Sequence, residues 1–147
     1  MARGRRRDGA RRARRGQGLG LMSDPNIPDA FDVFTVVLLR RPADAPEMTE
    51  DELDALQARH LAYRAQLARD GATVANGPFL AQSDETLRGM SVFARSPEEA
   101  ARLSAADPSV IAGRLSFEVV EWWVAAGSIA FPNATEPVGD RRPLPAD

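Results

Sequence analysis

The chain has 147 residues, 44% of them hydrophobic and 27% charged, with no cysteine and a single histidine. That profile suits one globular domain with some excess length. It excludes disulfides, thiol nucleophiles, Cys-ligated zinc and a His-rich metal site. No run of about 18 apolar residues is present, and no apolar stretch of the signal-peptide kind follows the basic start. A cytoplasmic protein without a membrane partner is expected.

The net charge of −2 hides a split. Residues 1–21, "MARGRRRDGARRARRGQGLGL", hold eight Arg against one Asp, a net +7, and the remainder holds 11 Arg against 20 acidic residues, a net −9. The first part has no apolar periodicity and cannot bury enough surface to offset chain entropy, so residues 1–30 read as a disordered Arg-rich extension. Eight Arg could contact phosphates or an anionic surface. The simpler reading is that the chain proper opens at Met22, in "MSDPNIPDAF". The acidic remainder repels phosphate, so no nucleic-acid partner is expected for the folded part.

Residues 31–125 carry the domain. "DVFTVVLLRR", Asp32 to Arg41, is apolar at odd and even positions alike and reads as a strand covered on both faces. After "RPADAPEM", Thr49 with Glu52 forms a capping box that opens a helix from about Glu50 to Asp70, stopped by Gly71. Its apolar stripe is Leu53, Leu56, His60, Tyr63 and Leu67, so His60 points inward. "TVANGPF", Thr73 to Phe79, and "LRGMSVFAR", Leu87 to Arg95, read as a hairpin, with Gly89 a weak point or bulge. Ser96-Pro97-Glu98-Glu99 gives a second capping box and a helix to about Ala106, before Asp107-Pro108. "PSVIAGR" is a loop or short turn, and "LSFEVVEWWV", Leu115 to Val124, the last strand. Residues 126–147 are Pro- and Gly-rich and read as a tail.

The order β-α-β-β-α-β predicts an α+β ferredoxin-like fold, a four-stranded antiparallel sheet with two helices on one face. Its other face would expose apolar side chains, with Trp122 and Trp123 projecting oppositely. Such a face marks an interface or a ligand groove, and a homodimer pairing sheet to sheet is expected, with pockets between the sheet and the first helix or near the dimer seam.

His60 is the one side chain suited to proton transfer near neutrality, and a carboxylate beside it would fix its tautomer. Asp107, at the end of the second helix, is the candidate partner, whereas Asp51, Glu52 and Asp54 read as first-turn charges. A His–Asp pair can take a proton beside a carbonyl or phenol, which suits isomerisation or elimination. The bland alternatives are a satisfied core histidine and a turn-capping aspartate. Tyr63 reads as core with a bonded hydroxyl or as a pocket wall. Arg40 and Arg41 read as solvated, while Arg114 is close enough in sequence to pair with Asp107 or an anionic ligand. No serine elbow, phosphate-cradling glycine loop or metal triad is present, and no cofactor is expected.

"HLAY" in the first helix, "NGPF" after it, "LRGMSVF" and "AADPSVIAGRLSFEVVEWW" together resemble the YciI-like (YCII-related) proteins of the dimeric α/β barrel superfamily, over about Phe34 to Val124. The resemblance implies a site made by the helix-one histidine, here His60, and the aspartate of the "DP" turn, here Asp107. One branch resembles dehydrochlorinases of chlorinated hydroxyquinols, and distant relatives include muconolactone isomerases. Catalytic candidates are therefore His60 and Asp107, and candidate substrate contacts are Tyr63, Gly77, Pro78 and Arg114. Two functions stay open: a cofactor-free lyase or isomerase acting on a small aromatic or carbonyl compound, and a non-catalytic dimer that binds a small metabolite or a protein.

Overall fold

The computed structural model describes residues 24–146, so the Arg-rich segment lies outside the described residues. Residues 24–30, expected to be part of a disordered extension, instead hold a turn. Ile27 N–H donates to the Asp24 carbonyl at 3.1 Å and Asn26 N–H to Asp24 Oδ1 at 2.8 Å, an Asx turn.

The elements are β1 (Phe31–Arg40), α1 (Glu50–Arg69), β2 (Thr73–Pro78), β3 (Leu87–Phe93), α2 (Pro97–Ala105), α3 (Pro108–Ile111), β4 (Ser116–Ala125) and β5 (Asp140–Arg142). The sheet runs β2-β3-β1-β4 with every pairing antiparallel, and β5 also pairs with β1. This is the ferredoxin-like arrangement, extended by a third helix and a fifth strand.

The two-sided apolar pattern of β1 is used on both faces. Val37 and Leu39 pack under the helices with Leu67, Ala72, Phe93 and Ala100. Phe34 and Val36 pack on the opposite face with Val92. Fully burying a side chain such as Phe93 contributes roughly 1.5–3 kcal/mol, and β1 places such side chains in both layers, so it is the strand on which both cores depend.

Helix α1 starts at the expected box, with Thr49 Oγ1 accepting from Glu52 N–H at 3.3 Å and Glu52 accepting from Thr49 N–H at 2.8 Å. It ends in a Schellman motif: Ala72 N–H reaches the Leu67 carbonyl at 2.9 Å and Gly71 N–H the Ala68 carbonyl at 3.1 Å. The second box is only half formed. Ser96 Oγ accepts from Glu99 N–H, but the Glu99 carboxylate turns to Arg102 Nε at 2.9 Å, one helical turn away.

Two further departures matter. "PSVI", expected as loop or turn, is a helical turn, because Asp107 caps it and Pro108 occupies its first position. The segment after Ala125, expected as a tail, folds back over the sheet. Ile129, Phe131 and Val138 pack against the Phe34 cluster, and the Phe34 and Phe131 rings meet edge-on at 5.4 Å. Asp32 holds this arm by accepting from Arg141 Nε at 2.9 Å, Arg141 Nη2 at 3.2 Å and Gly127 N–H at 2.7 Å. Gly139, at φ +77°, lies so close that a Cβ would stand 2.8 Å from the Phe34 ring.

Candidate active site

His60 lies in the third turn of α1, where helical spacing turns it toward the N-cap of α3. Its Nδ1 is 2.8 Å from Asp107 Oδ1, across 47 residues of chain. Asp107 is fully buried and the His60 side chain 13% exposed. The same Oδ1 accepts from Ser109 N–H at 2.9 Å, the N-cap bond of α3. One carboxylate oxygen therefore both starts a helical turn and faces the imidazole. Against an ionised carboxylate, which only accepts, Nδ1 is the donor of this contact and Nε2 is the ring nitrogen outside it.

Behind His60 stands a residue the sequence reading passed over. Arg64, four positions on and so on the same helix face, is 3% exposed. It donates through Nη2 to Ser91 Oγ of β3 and to Asn76 Oδ1 of β2 at 3.4 Å, while Ser91 Oγ donates to Asn76 Oδ1 at 3.0 Å. Its Nη1 stands 3.8 Å from Asp107 Oδ2, near enough for charge pairing and too far for a hydrogen bond. Arg64 Nε and Nη1 and Asp107 Oδ2 accordingly have no hydrogen-bond partner. Burial pushes the Arg64 guanidinium below its usual range, against the opposing pull of Asp107.

A cavity of about 530 Å³ opens at this pair, within the size range of small-molecule sites. Leu39, Leu53, Leu56, Leu61 and Leu115 form its apolar wall. His60, Arg64, Asn76, Gly77, Pro78 and Gly89 line it where α1 meets the β2–β3 hairpin. Gly89 lets these two strands close up, since a Cβ there would stand 2.7 Å from the Gly77 carbonyl oxygen. Beside it the β1–β3 register slips: Leu39 faces Gly89 while Arg40 faces Leu87, leaving Arg88 as a bulge residue whose side chain lines the cavity.

A family model for the YCII-related domain matches residues 34–123. The chain belongs to the YCII-related family. No curated protein matches it. The matched span of this YCII-related chain contains both His60 and Asp107 and stops before the arm that carries β5.

Of the residues singled out in the sequence, His60, Gly77, Pro78 and Arg114 line the cavity of the YCII-related domain. Asp107 stands behind His60 and outside the lining. Tyr63 faces elsewhere: its hydroxyl donates to the Leu103 carbonyl at 2.7 Å and its ring packs against the helix-side core. Burial, then the Asp107 charge, pushes the Tyr63 phenol above its usual range, which keeps it a neutral donor. Arg114 does not pair with Asp107, and its Nη1 donates to the Pro46 carbonyl at 2.9 Å. Arg41, read as solvated, and Arg88 also line the cavity, and the sign of their charge was the one available signal. Among the described residues no group of three or more His, Asp or Glu side chains is placed to hold a metal ion, and no helix is long and apolar enough to cross a membrane.

Proposed function

We propose that this YCII-related protein is a cofactor-free lyase or isomerase that acts on a small aromatic or carbonyl compound through His60, with Asp107 as its positioning partner. The observation that carries the reading is the 2.8 Å contact between His60 Nδ1 and the buried Asp107 carboxylate, made by a histidine that lines a cavity. Nε2 takes a proton from the carbon beside the carbonyl or phenol. In an elimination the C–H electron pair becomes a new C=C bond as the leaving group departs with its own pair. In an isomerisation it becomes the C=C bond of an enolate as the C=O π pair moves to oxygen, and that pair returns when the proton adds at a different carbon of the conjugated system. Asp107 holds the ring in the tautomer that leaves Nε2 basic and balances the imidazolium that forms. We further propose that two copies pair through the sheet face opposite the helices, where Leu38, Val74, Met90 and Val120 are partly buried and Trp122 is 42% exposed.

The test is a thermal-shift panel of small aromatic and carbonyl compounds, with mass spectrometry of every stabilising compound after incubation. Turnover by the wild type that disappears in a folded His60→Gln variant is expected. Turnover that survives His60→Gln, or ligands that bind without conversion and ignore His60, would leave a binding module in place of an enzyme. Light scattering at tens of micromolar that gives the mass of one chain would remove the dimer.

A further inference from the structure

The cavity holding His60 is lined by four arginines, Arg41, Arg64, Arg88 and Arg114, and by one acidic residue, Asp54. This cationic concavity lies in the part of the chain whose net charge is −9. We infer that the cavity takes a small organic acid, and that Arg41, Arg88 and Arg114 grip its carboxylate while His60 faces the carbon to be deprotonated. The inference rests on the proposed His60 chemistry and names its substrate class.

Three observations support it. First, among the described residues none of the three outer arginines enters an ion pair, although Arg40, Arg95, Arg102, Arg141 and Arg142 all do. Arg88 Nη1 and Arg114 Nη1 each bond a carbonyl, of Glu85 and Pro46, and a guanidinium has five N–H donors, so most remain to offer. Second, the three lie near enough to feel one another: burial, then the charges of Arg88 and Arg114, hold the Arg41 guanidinium below its usual range. Like charges gathered with no carboxylate in ion-pair contact are an unfavourable arrangement that a bound anion relieves. Third, Arg64 adds a buried positive charge beneath the floor, with two nitrogens lacking any hydrogen-bond partner and only the 3.8 Å approach of Asp107 against it.

A carboxylate fits better than a phosphate. Phosphate sites draw on backbone N–H groups of a glycine-rich loop or a helix N-terminus. Here the nearby helical start, at α3, has spent its Ser109 N–H on Asp107, which places a negative charge there. Guanidinium forks match a planar carboxylate directly. The leucine wall accommodates the apolar body, and guanidinium charge beside the carbonyl stabilises the enolate that forms when His60 removes a proton.

The probe is benzoate against benzamide, which differ in charge and hardly in shape, titrated by NMR at low ionic strength, with inorganic phosphate as a third arm. Benzoate should shift amide resonances of α1, β2 and β3 around the cavity while benzamide does so at least about tenfold more weakly, the scale of one charge-assisted contact. Arg114→Gln and Arg41→Gln should each lower benzoate affinity about tenfold. His60→Gln should leave benzoate binding intact, so that loss of the acid–base reading and loss of the anion site are separate results. Benzamide binding as well as benzoate, or unchanged benzoate affinity in both arginine variants, overturns the inference. Phosphate binding more tightly than benzoate overturns the carboxylate assignment.

Discussion

Replacing Asp107 by asparagine separates the charge of this residue from its shape. The amide oxygen can still accept the Ser109 N–H, now at 2.9 Å, and Asn caps helices about as well as Asp, so α3 should persist. What disappears is the charge beside His60 and, among the described residues, the only carboxylate within 4.0 Å of the buried Arg64 guanidinium. Removing one partner of a buried ion pair costs about 3–5 kcal/mol when the pair is well made. At 3.8 Å this one is not, and Arg64 keeps Ser91 and Asn76, so the expected loss is about 2–4 kcal/mol. For a domain of this size that lowers Tm by roughly 8–16 °C, at about 4 °C per kcal/mol. The assay is thermal unfolding followed by circular dichroism in a double-mutant cycle with Arg64→Met. If Asp107 serves to balance Arg64, the double variant recovers part of the loss, a coupling of about 1–3 kcal/mol. Strictly additive losses, or an Asp107→Asn protein as stable as wild type, refute the claim that the two charges act on each other.

Gly89→Ala should destabilise the domain by about 1–3 kcal/mol, because a Cβ 2.7 Å from the Gly77 carbonyl oxygen must push the edge strand β2 outward. The urea midpoint measures this, and an unchanged midpoint would show that the two strands can part without loss. The arm should loosen in acid. Asp32 is held below its ordinary value of 3.8, first by its hydrogen bond to Arg141 and then by the Gly127 N–H, so its contribution is complete above 3.8 and lost as pH falls through the lower folded value. Amide exchange at residues 140–142, corrected for the intrinsic rate, should accelerate in that window, and Arg141→Gln should bring the same acceleration at neutral pH. Exchange indifferent to both would place the arm's hold in its apolar contacts alone.

What could be read in the sequence was whatever short-range rules or strand alternation decide. The Thr49–Glu52 box and the Gly71 stop depend on neighbours within one turn, and the two-sided apolar run of β1, rich in Val, Phe and Thr, reads as a strand covered on both faces. Arg64 could not be read this way. Its burial depends on Ser91 and Asn76, which lie 27 and 12 residues away on different strands, and without them an arginine on a helix reads as solvated. The cavity's charge was missed for a related reason: Arg41, Arg88 and Arg114 come from three separate segments that meet only in the folded sheet. The arm was missed because the alternation of Ile129 and Phe131 ends after one step at Pro132, Val138 stands alone seven residues after Phe131, and β5 spans three residues. The half-formed box at Ser96 shows the limit of the local rule itself. Arg102 competes for the same carboxylate within the same helix, and a charged partner outweighs a backbone N–H.

The coincidence of roles at Asp107 explains why its two readings, turn cap and proton-transfer partner, need not be rivals. A cap requires a short acceptor side chain whose oxygen points at the backbone two residues on, and that requirement fixes the carboxylate to one rotamer. Pro108 favours the same backbone by fixing φ at the first helical position. The oxygen so fixed is the one that meets His60 Nδ1, so the imidazole is oriented by a group already immobilised for a local reason. Little extra ordering entropy is then needed to hold the ring, since its partner is fixed with or without a ligand. The rest of the cavity's polar lining is built the other way, from long arginine side chains with donors to spare. Under the proposed function, a rigid His–Asp pair facing an adaptable cationic wall would let one proton-transfer geometry serve acids of different shape.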